Sequence, residues 1–179
     1  MDDIVRQAMA KWPNVPACYG WLGLDARGNW YMRDERAQAA GPFAAGPTAA
    51  KGALLQHDKL IDFIGRNYAV DERGCWYFQN GPQRVFVELE ATPWVWRIQP
   101  DLTVHSHTGL PARVTQCVLD EIGRVYLCTD LGFGLVHTQD VLLAADALLA
   151  GLWPQQNMPA QSLPAAFAYV SNPAALSKT

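Results

Sequence analysis

The spacing of apolar positions changes along the chain, and each change marks an element. Over residues 2–12, Ile4, Val5, Ala8 and Trp12 share one side of a 3.6-residue helix, which Pro13 and Pro16 end. Asp58 to Arg66 repeats the pattern, with Leu60, Ile61 and Ile64 as its stripe. Thr138 is predicted to cap a third helix, running to about Gly151 and stopped by Pro154. Elsewhere the period is two. From Gln83 to Glu90, Val85, Val87 and Leu89 point one way, and Arg84, Phe86, Glu88 and Glu90 the other. Trp94, Trp96 and Ile98 alternate likewise. With Asn80-Gly81-Pro82 as a turn, Tyr68 to Ile98 reads as a four-stranded antiparallel meander behind a helix. Residues 36–52, rich in Ala, Gly and Pro, read as a loop.

Three segments align without gaps: Leu24 to Tyr31, Val70 to Tyr77 and Leu119 to Tyr126. Each reads apolar, Asp, two variable residues, Gly, a small or polar residue, apolar, Tyr. An Asp that opens a turn can accept backbone N–H groups further on, and the Gly supplies the left-handed residue of a G1 bulge. Each segment is therefore predicted to be a tight β-hairpin. The register places Leu24 opposite Trp30, Val70 opposite Trp76 and Leu119 opposite Val125 as one core-facing side. The tyrosines then lie on the other, solvated side, opposite Gly23, Ala69 and Val118, and Asn67 pairs with Gln79 one step out. Cys117 and Cys128 fall on opposite faces, so no disulfide is expected between them. Three such hairpins, separated by helical or irregular stretches, do not make a propeller.

Composition narrows the class. Half of the residues are hydrophobic and the net charge is only -3, which argues for a folded chain. No apolar run approaches membrane-spanning length, and the start, Met1-Asp2-Asp3, has no secretory pattern, so a cytoplasmic location is expected with no membrane partner. The pI near 5.7 and scattered basic residues make nucleic acid an unfavoured partner. Cys18, Cys75, Cys117 and Cys128 show no CxxC spacing and read as reduced thiols. His105 and His107 could share a strand face, but no further ligand sits at metal spacing. Neither a metal site nor a cofactor is expected.

Three candidate sites follow. On the polar side of the second hairpin, Asn67, Tyr77 and Gln79, with Asn80, Gln83 and Arg84 close by, could orient a carboxylate-bearing or peptide-like ligand. Against this, Asn67 with Gln79 also reads as an ordinary cross-strand pair. Trp94 and Trp96, with Trp76 and Phe86, could line an aromatic cleft, although alternating aromatics are more often core. Glu88 and Glu90 share a strand face and could act as an acid–base pair, and Cys75 is a nucleophile only if the fold brings a base to it.

The stretch Arg66-Asn67-Tyr68, Asp71 through Val85 (with its Trp76-Tyr77-Phe78-Gln79-Asn80-Gly81-Pro82-Gln83-Arg84 core) and Thr92-Pro93-Trp94 resembles a family of bacterial hypothetical proteins. The resemblance runs from the first helix through the third hairpin and helix. The Ala/Gly/Pro loop and the tail depart from it. It implies a domain of unknown function and lends no catalytic residue. The order of elements is also similar to a second uncharacterised α+β family with repeated motifs, for which a signalling or ligand-sensing role has been suggested.

The sequence thus predicts an α+β protein: three hairpin repeats forming antiparallel sheets packed on two or three helices. One domain is expected over 1–152, with a subdivision near 100–113 left open, and a Pro-containing extension over 153–179 held by Phe167, Tyr169 and Val170. The expected function is a non-catalytic ligand-binding or protein-interaction module with a signalling role in view, taking a small molecule or peptide. It would pair with a second copy if the tail packs in trans. A small hydrolase-like enzyme using carboxylates or Cys75 is the alternative, and a single-stranded nucleic-acid binder the weaker one.

Overall fold

The computed structural model describes residues 1–44 and 50–177. They form two compact units. One comprises Met1–Asp25, Asn29–Glu90 and the chain from Tyr169 onward; the other comprises Ala26–Gly28 and Ala91–Ala168. Both are mixed α+β.

The first unit is built from α1 (Asp3–Lys11), β1 (Cys18–Leu24), β2 (Trp30–Met32), α2 (Glu35–Ala40), β3 (Ala53–Leu54), α3 (Asp58–Arg66), β4 (Tyr68–Val70), β5 (Trp76–Asn80) and β6 (Gln83–Leu89). A terminal helical turn, Pro173–Leu176, is added at the end. Its six-stranded sheet runs β3-β2-β1-β6-β5-β4. The β1–β6 pair is parallel and the others are antiparallel, so the sheet is mixed and not purely antiparallel as expected.

The second unit carries β7 (Trp94–Ile98), β8 (Val104–Ser106), β9 (Pro111–Ala112), β10 (Val114–Leu119), β11 (Val125–Thr129), β12 (Gly132–Val136), α4 (Val141–Leu149), β13 (Gln155–Asn157) and α5 (Leu163–Ala166). Its seven strands run β13-β10-β11-β12-β7-β8-β9, with parallel pairs at β10–β13 and β12–β7. The four-stranded meander is therefore corrected. β4, β5 and β6 stay together, but β7 joins the other sheet beside β12. A period-two pattern fixes which side chains share a face and leaves the neighbouring strand undetermined.

The hairpins pair in the predicted register: Leu24 with Trp30, Val70 with Trp76, Leu119 with Val125. Gly28, Gly74 and Gly123 sit at φ +84°, +81° and +81°, the left-handed region the turn requires. What the register could not supply was exposure. Tyr77 and Tyr126 are buried, while Val70 is 46% exposed. In the first unit both faces of the sheet are covered. Phe63 of α3 meets Phe78 edge-on. On the other face Val170 packs on Cys75, Tyr77 and Phe86. The solvated tyrosine side is thus corrected to a second core face.

Smaller corrections follow from capping. Residues 36–52 are not all loop: Asp34 accepts the Ala37 N–H and starts α2, while 45–49 lie outside the described residues. The His137 imidazole, not Thr138, accepts the Gln139 N–H and opens a short 3-10 turn, Thr138–Asp140, that leads into α4. Beyond Pro154 the chain is anchored, first as β13 on β10 and then by Phe167 stacked on Phe133 at 3.7 Å. Farther on, Leu89 N–H donates to Ser171 and Val170 N–H to Gly74. No described helix is long and apolar enough to cross a membrane.

Candidate functional site

α1 lies over one end of the first unit's sheet because two polar groups pin it there. The Asp2 backbone N–H donates to Asn67 Oδ1 at 2.8 Å, and Asp2 pairs with Arg66 at 3.3 Å. Between α1, the Pro13–Ala17 segment and the β5–β6 hairpin a cleft of about 370 Å³ remains. Met9, Trp12 and Val15 supply its apolar wall; Gln79 and Arg84 supply its polar one. These last two are direct cross-strand partners.

Gln79 is buried, and its two amide ends differ. Nε2 donates to the Gly81 carbonyl at 2.9 Å. Oε1 has no partner. Leaving a buried carbonyl oxygen unsatisfied costs on the order of 1–3 kcal/mol, so a donor that reaches it is favoured. Arg84 is exposed, lies 4.8 Å over the Tyr77 ring and forms no ion pair among the described residues. A guanidinium over an aromatic ring can still offer N–H donors to a carboxylate or similar group.

The other expected site residues go elsewhere. Asn67 is fully buried and spent on structure, its Nδ2 donating to the Phe63 carbonyl at 2.9 Å. Tyr77 lies in the core with Cys75 and Phe86. Gln83 reaches the Pro16 carbonyl at 3.0 Å. Asn80 is exposed and borders a different, apolar cleft with Trp21, Met32 and Phe78. Trp94 and Trp96 belong to the second unit. They stack 5.9 Å apart, and their indole N–H groups donate to Leu131 and Leu127 carbonyls, as core tryptophans do. Trp76 packs on Tyr68, while Phe86 stacks on Tyr19 on the other face of the sheet.

The groups singled out for catalysis also separate. Cys75 is buried, and burial followed by the charge of Asp71 pushes its thiol upward, away from the reactive thiolate. Glu90 pairs with Lys51 at 2.8 Å. Glu88 is 2% exposed; burial raises it to about 7, with the Ala174 N–H and Arg33 pulling the other way. Sequence reading missed Met9 and Trp12 as cleft walls and Arg33 as a buried cation. Arg33 is held by backbone carbonyls, which leave no mark in a sequence pattern.

The model of the family DUF2944, described as "Protein of unknown function (DUF2946)", matches residues 1–174. The chain belongs to this family. No curated protein matches it. It is similar to a crystal structure of a DUF1285 family protein from Silicibacter pomeroyi DSS-3. That match has TM-score 0.48 and 13% identity over 82% of this chain and 84% of the other. A DUF1285 family protein from Shewanella baltica OS155 gives TM-score 0.46 and 18% identity over 70% and 91%. The family's description assigns no activity.

Proposed function

We propose that this family member is a non-catalytic, cytoplasmic ligand-binding module. The α1–β5–β6 cleft takes a small molecule that joins an N–H or O–H donor to a carboxylate on a short apolar body. One observation carries the reading: the buried Gln79 Oε1 has no partner among the described residues, and Gln79 lines the cleft beside Arg84, its cross-strand neighbour. The donor satisfies Gln79, the carboxylate meets Arg84, and the apolar part covers Met9 and Trp12. The volume of about 370 Å³ falls at the small end of ligand pockets.

Native mass spectrometry of freshly purified protein tests this, and the same spectrum reports whether two copies associate. The expected result is a retained acidic small molecule. In a second arm, ¹⁵N-labelled protein is titrated with N-acetylated amino acids. The Gln79 side-chain amide is expected to shift, and Arg84→Ala to weaken binding about tenfold or more. No retained molecule together with an unmoved Gln79 amide would sink the proposal.

A further inference from the structure

A second cleft, of about 680 Å³, lies farther along β6 on the face that Arg84 and Phe86 share. Tyr19, Arg33, Gln38, Phe43, Glu88 and Asn172 are on its lining. Its most unusual group is Glu88, a buried carboxyl with no ion pair among the described residues. Oε1 accepts the Ala174 N–H at 3.2 Å, and among the described residues no donor reaches Oε2. Burying a carboxylate this way is costly unless a charge compensates it.

The nearby cation does not close the gap. Arg33 feels the charge of Glu88, but its guanidinium donates to the carbonyls of Ala50, Gly20, Ala37 and Gly41. Its hydrogen bonds go to carbonyls of β1, α2 and the segment after α2, and none goes to the acid. The net position of Glu88, up near 7, agrees: burial outweighs both the Ala174 N–H and Arg33. The remaining lining is rich in acceptors. Gln38 turns its Nε2 to the Arg33 carbonyl, which leaves Oε1 lying against Gly20. Ser177, also on the lining, spends its hydroxyl hydrogen on the Ala174 carbonyl and keeps its lone pairs.

The geometry points to this cleft as a binding site for a small organic cation, a primary amine or guanidine, seated on Glu88 Oε2 beside the acceptors of Gln38 and Ser177. An anion finds no such welcome, because Arg33 has committed most of its donors and Glu88 repels it. Among the described residues no group of three metal-ligating side chains exists, so an organic ion and not a metal fits the donor set. The site differs from the Gln79–Arg84 cleft in place and in charge.

Seating a cation requires the ionised acid, so binding below neutrality releases a proton and affinity rises with pH. Among the described residues, Arg33 and the Cys75 thiol feel the charge of Glu88, Tyr19 lines the same cleft with its phenol bonded to Arg73, and the helical turn Pro173–Leu176 brings no titratable group.

The test is a titration of the ¹⁵N-labelled full chain with butylamine and agmatine, with butyrate as the anionic control, at about pH 6 and about pH 8. Amine-induced shifts are expected at Glu88, Gln38 and Ala174. Affinity should be about tenfold tighter at the higher pH, the ratio of ionised Glu88 at the two values. Glu88→Gln keeps the side-chain shape and an oxygen for the Ala174 hydrogen bond, and is expected to lose the tenfold difference between the two pH values. Arg84→Ala is expected to leave amine binding unchanged, which keeps the two clefts distinguishable. Equal binding of butyrate, no shift at about 100 mM amine, or affinity flat with pH in the unaltered protein would each overturn the assignment, and none of these needs a variant to fold.

Discussion

The Tyr126 hydroxyl donates to the Asp120 carboxylate at 3.0 Å, tying the last residue of the third hairpin motif to the one that opens its turn. Asp120 also receives the Ile122 and Arg124 N–H groups and the Arg124 guanidinium. Burial alone would raise its carboxyl; these donors outweigh burial and hold it below the usual carboxylate range. Tyr31 hydrogen-bonds Asp25 in the first hairpin, and its phenol is raised by burial and by that charge. The second hairpin departs. Asp71 turns to Arg73, and Tyr77 lies under Arg84.

Tyr126→Phe removes one donor and keeps the ring. The expected cost is about 1.5–2 kcal/mol, in the range for a hydrogen bond to a charged group. Because the folded carboxyl lies low, its contribution is present above the unfolded value of 3.8 and is lost as pH falls through the folded one. In the variant the folded carboxyl is less depressed, so the acid loss begins at the same unfolded value but ends at a higher pH and is smaller in total. Tyr77→Phe, with no aspartate on its hydroxyl, is expected to cost under about 0.5 kcal/mol. Urea denaturation of the two variants side by side reads the difference.

Asn67→Ala should act at a distance from its own position. It removes the acceptor of the Asp2 N–H and the donor to Phe63 inside the core, for a loss of about 2–3 kcal/mol. Because the first of these bonds pins α1, hydrogen exchange is expected to quicken at Val5 to Lys11 before it quickens in α3.

The turn chemistry was legible in the sequence because it is local: an Asp, a Gly three residues later and alternating flanks determine the hairpin and its register. The α3 boundaries were legible for the same reason. The destination of β7 was not, since Trp94 to Ile98 alternates equally well beside β6 or β12. Exposure was not legible either. Tyr77 looked solvated because nothing in the local pattern says that Val170, more than ninety residues later, covers it. The candidate site fared accordingly. Gln79 and Arg84, which the hairpin itself brings together, share a cleft, whereas Trp94 and Trp96, placed beside them by an assumed strand pairing, lie in the other unit.

The β12–β7 pairing that overturned the meander depends on Gly134. A Cβ there would stand 2.5 Å from the Trp94 carbonyl oxygen and 2.6 Å from Trp96 Nε1. The backbone cannot yield without breaking the parallel ladder, so Gly134→Ala is expected to cost about 3 kcal/mol, the upper end for overpacking. Gly123→Ala is the control: nothing stands within 4 Å of its Cβ, and the cost is only that of its positive φ, about 1 kcal/mol. A thermal midpoint that falls further for the Gly134 variant checks the ordering.

Glu88 makes stability depend on pH in a direction opposite to that of Asp120. Its folded value, about 7, stands above the ordinary 4.5, so between those two values the folded chain holds a proton that the unfolded chain has released. Stability from this group is therefore full below about pH 4.5, declines as pH rises, and is gone above about 7, a total of roughly 3 kcal/mol. Glu88→Gln carries no titrating proton and keeps an oxygen for the Ala174 N–H. Relative to the unaltered protein it is expected to gain roughly 2–3 kcal/mol on going from about pH 5 to about pH 8, read as the difference between urea midpoints at the two pH values. A difference that does not change with pH would mean that Glu88 is ionised throughout, and that the protein already holds a cation close enough to compensate it.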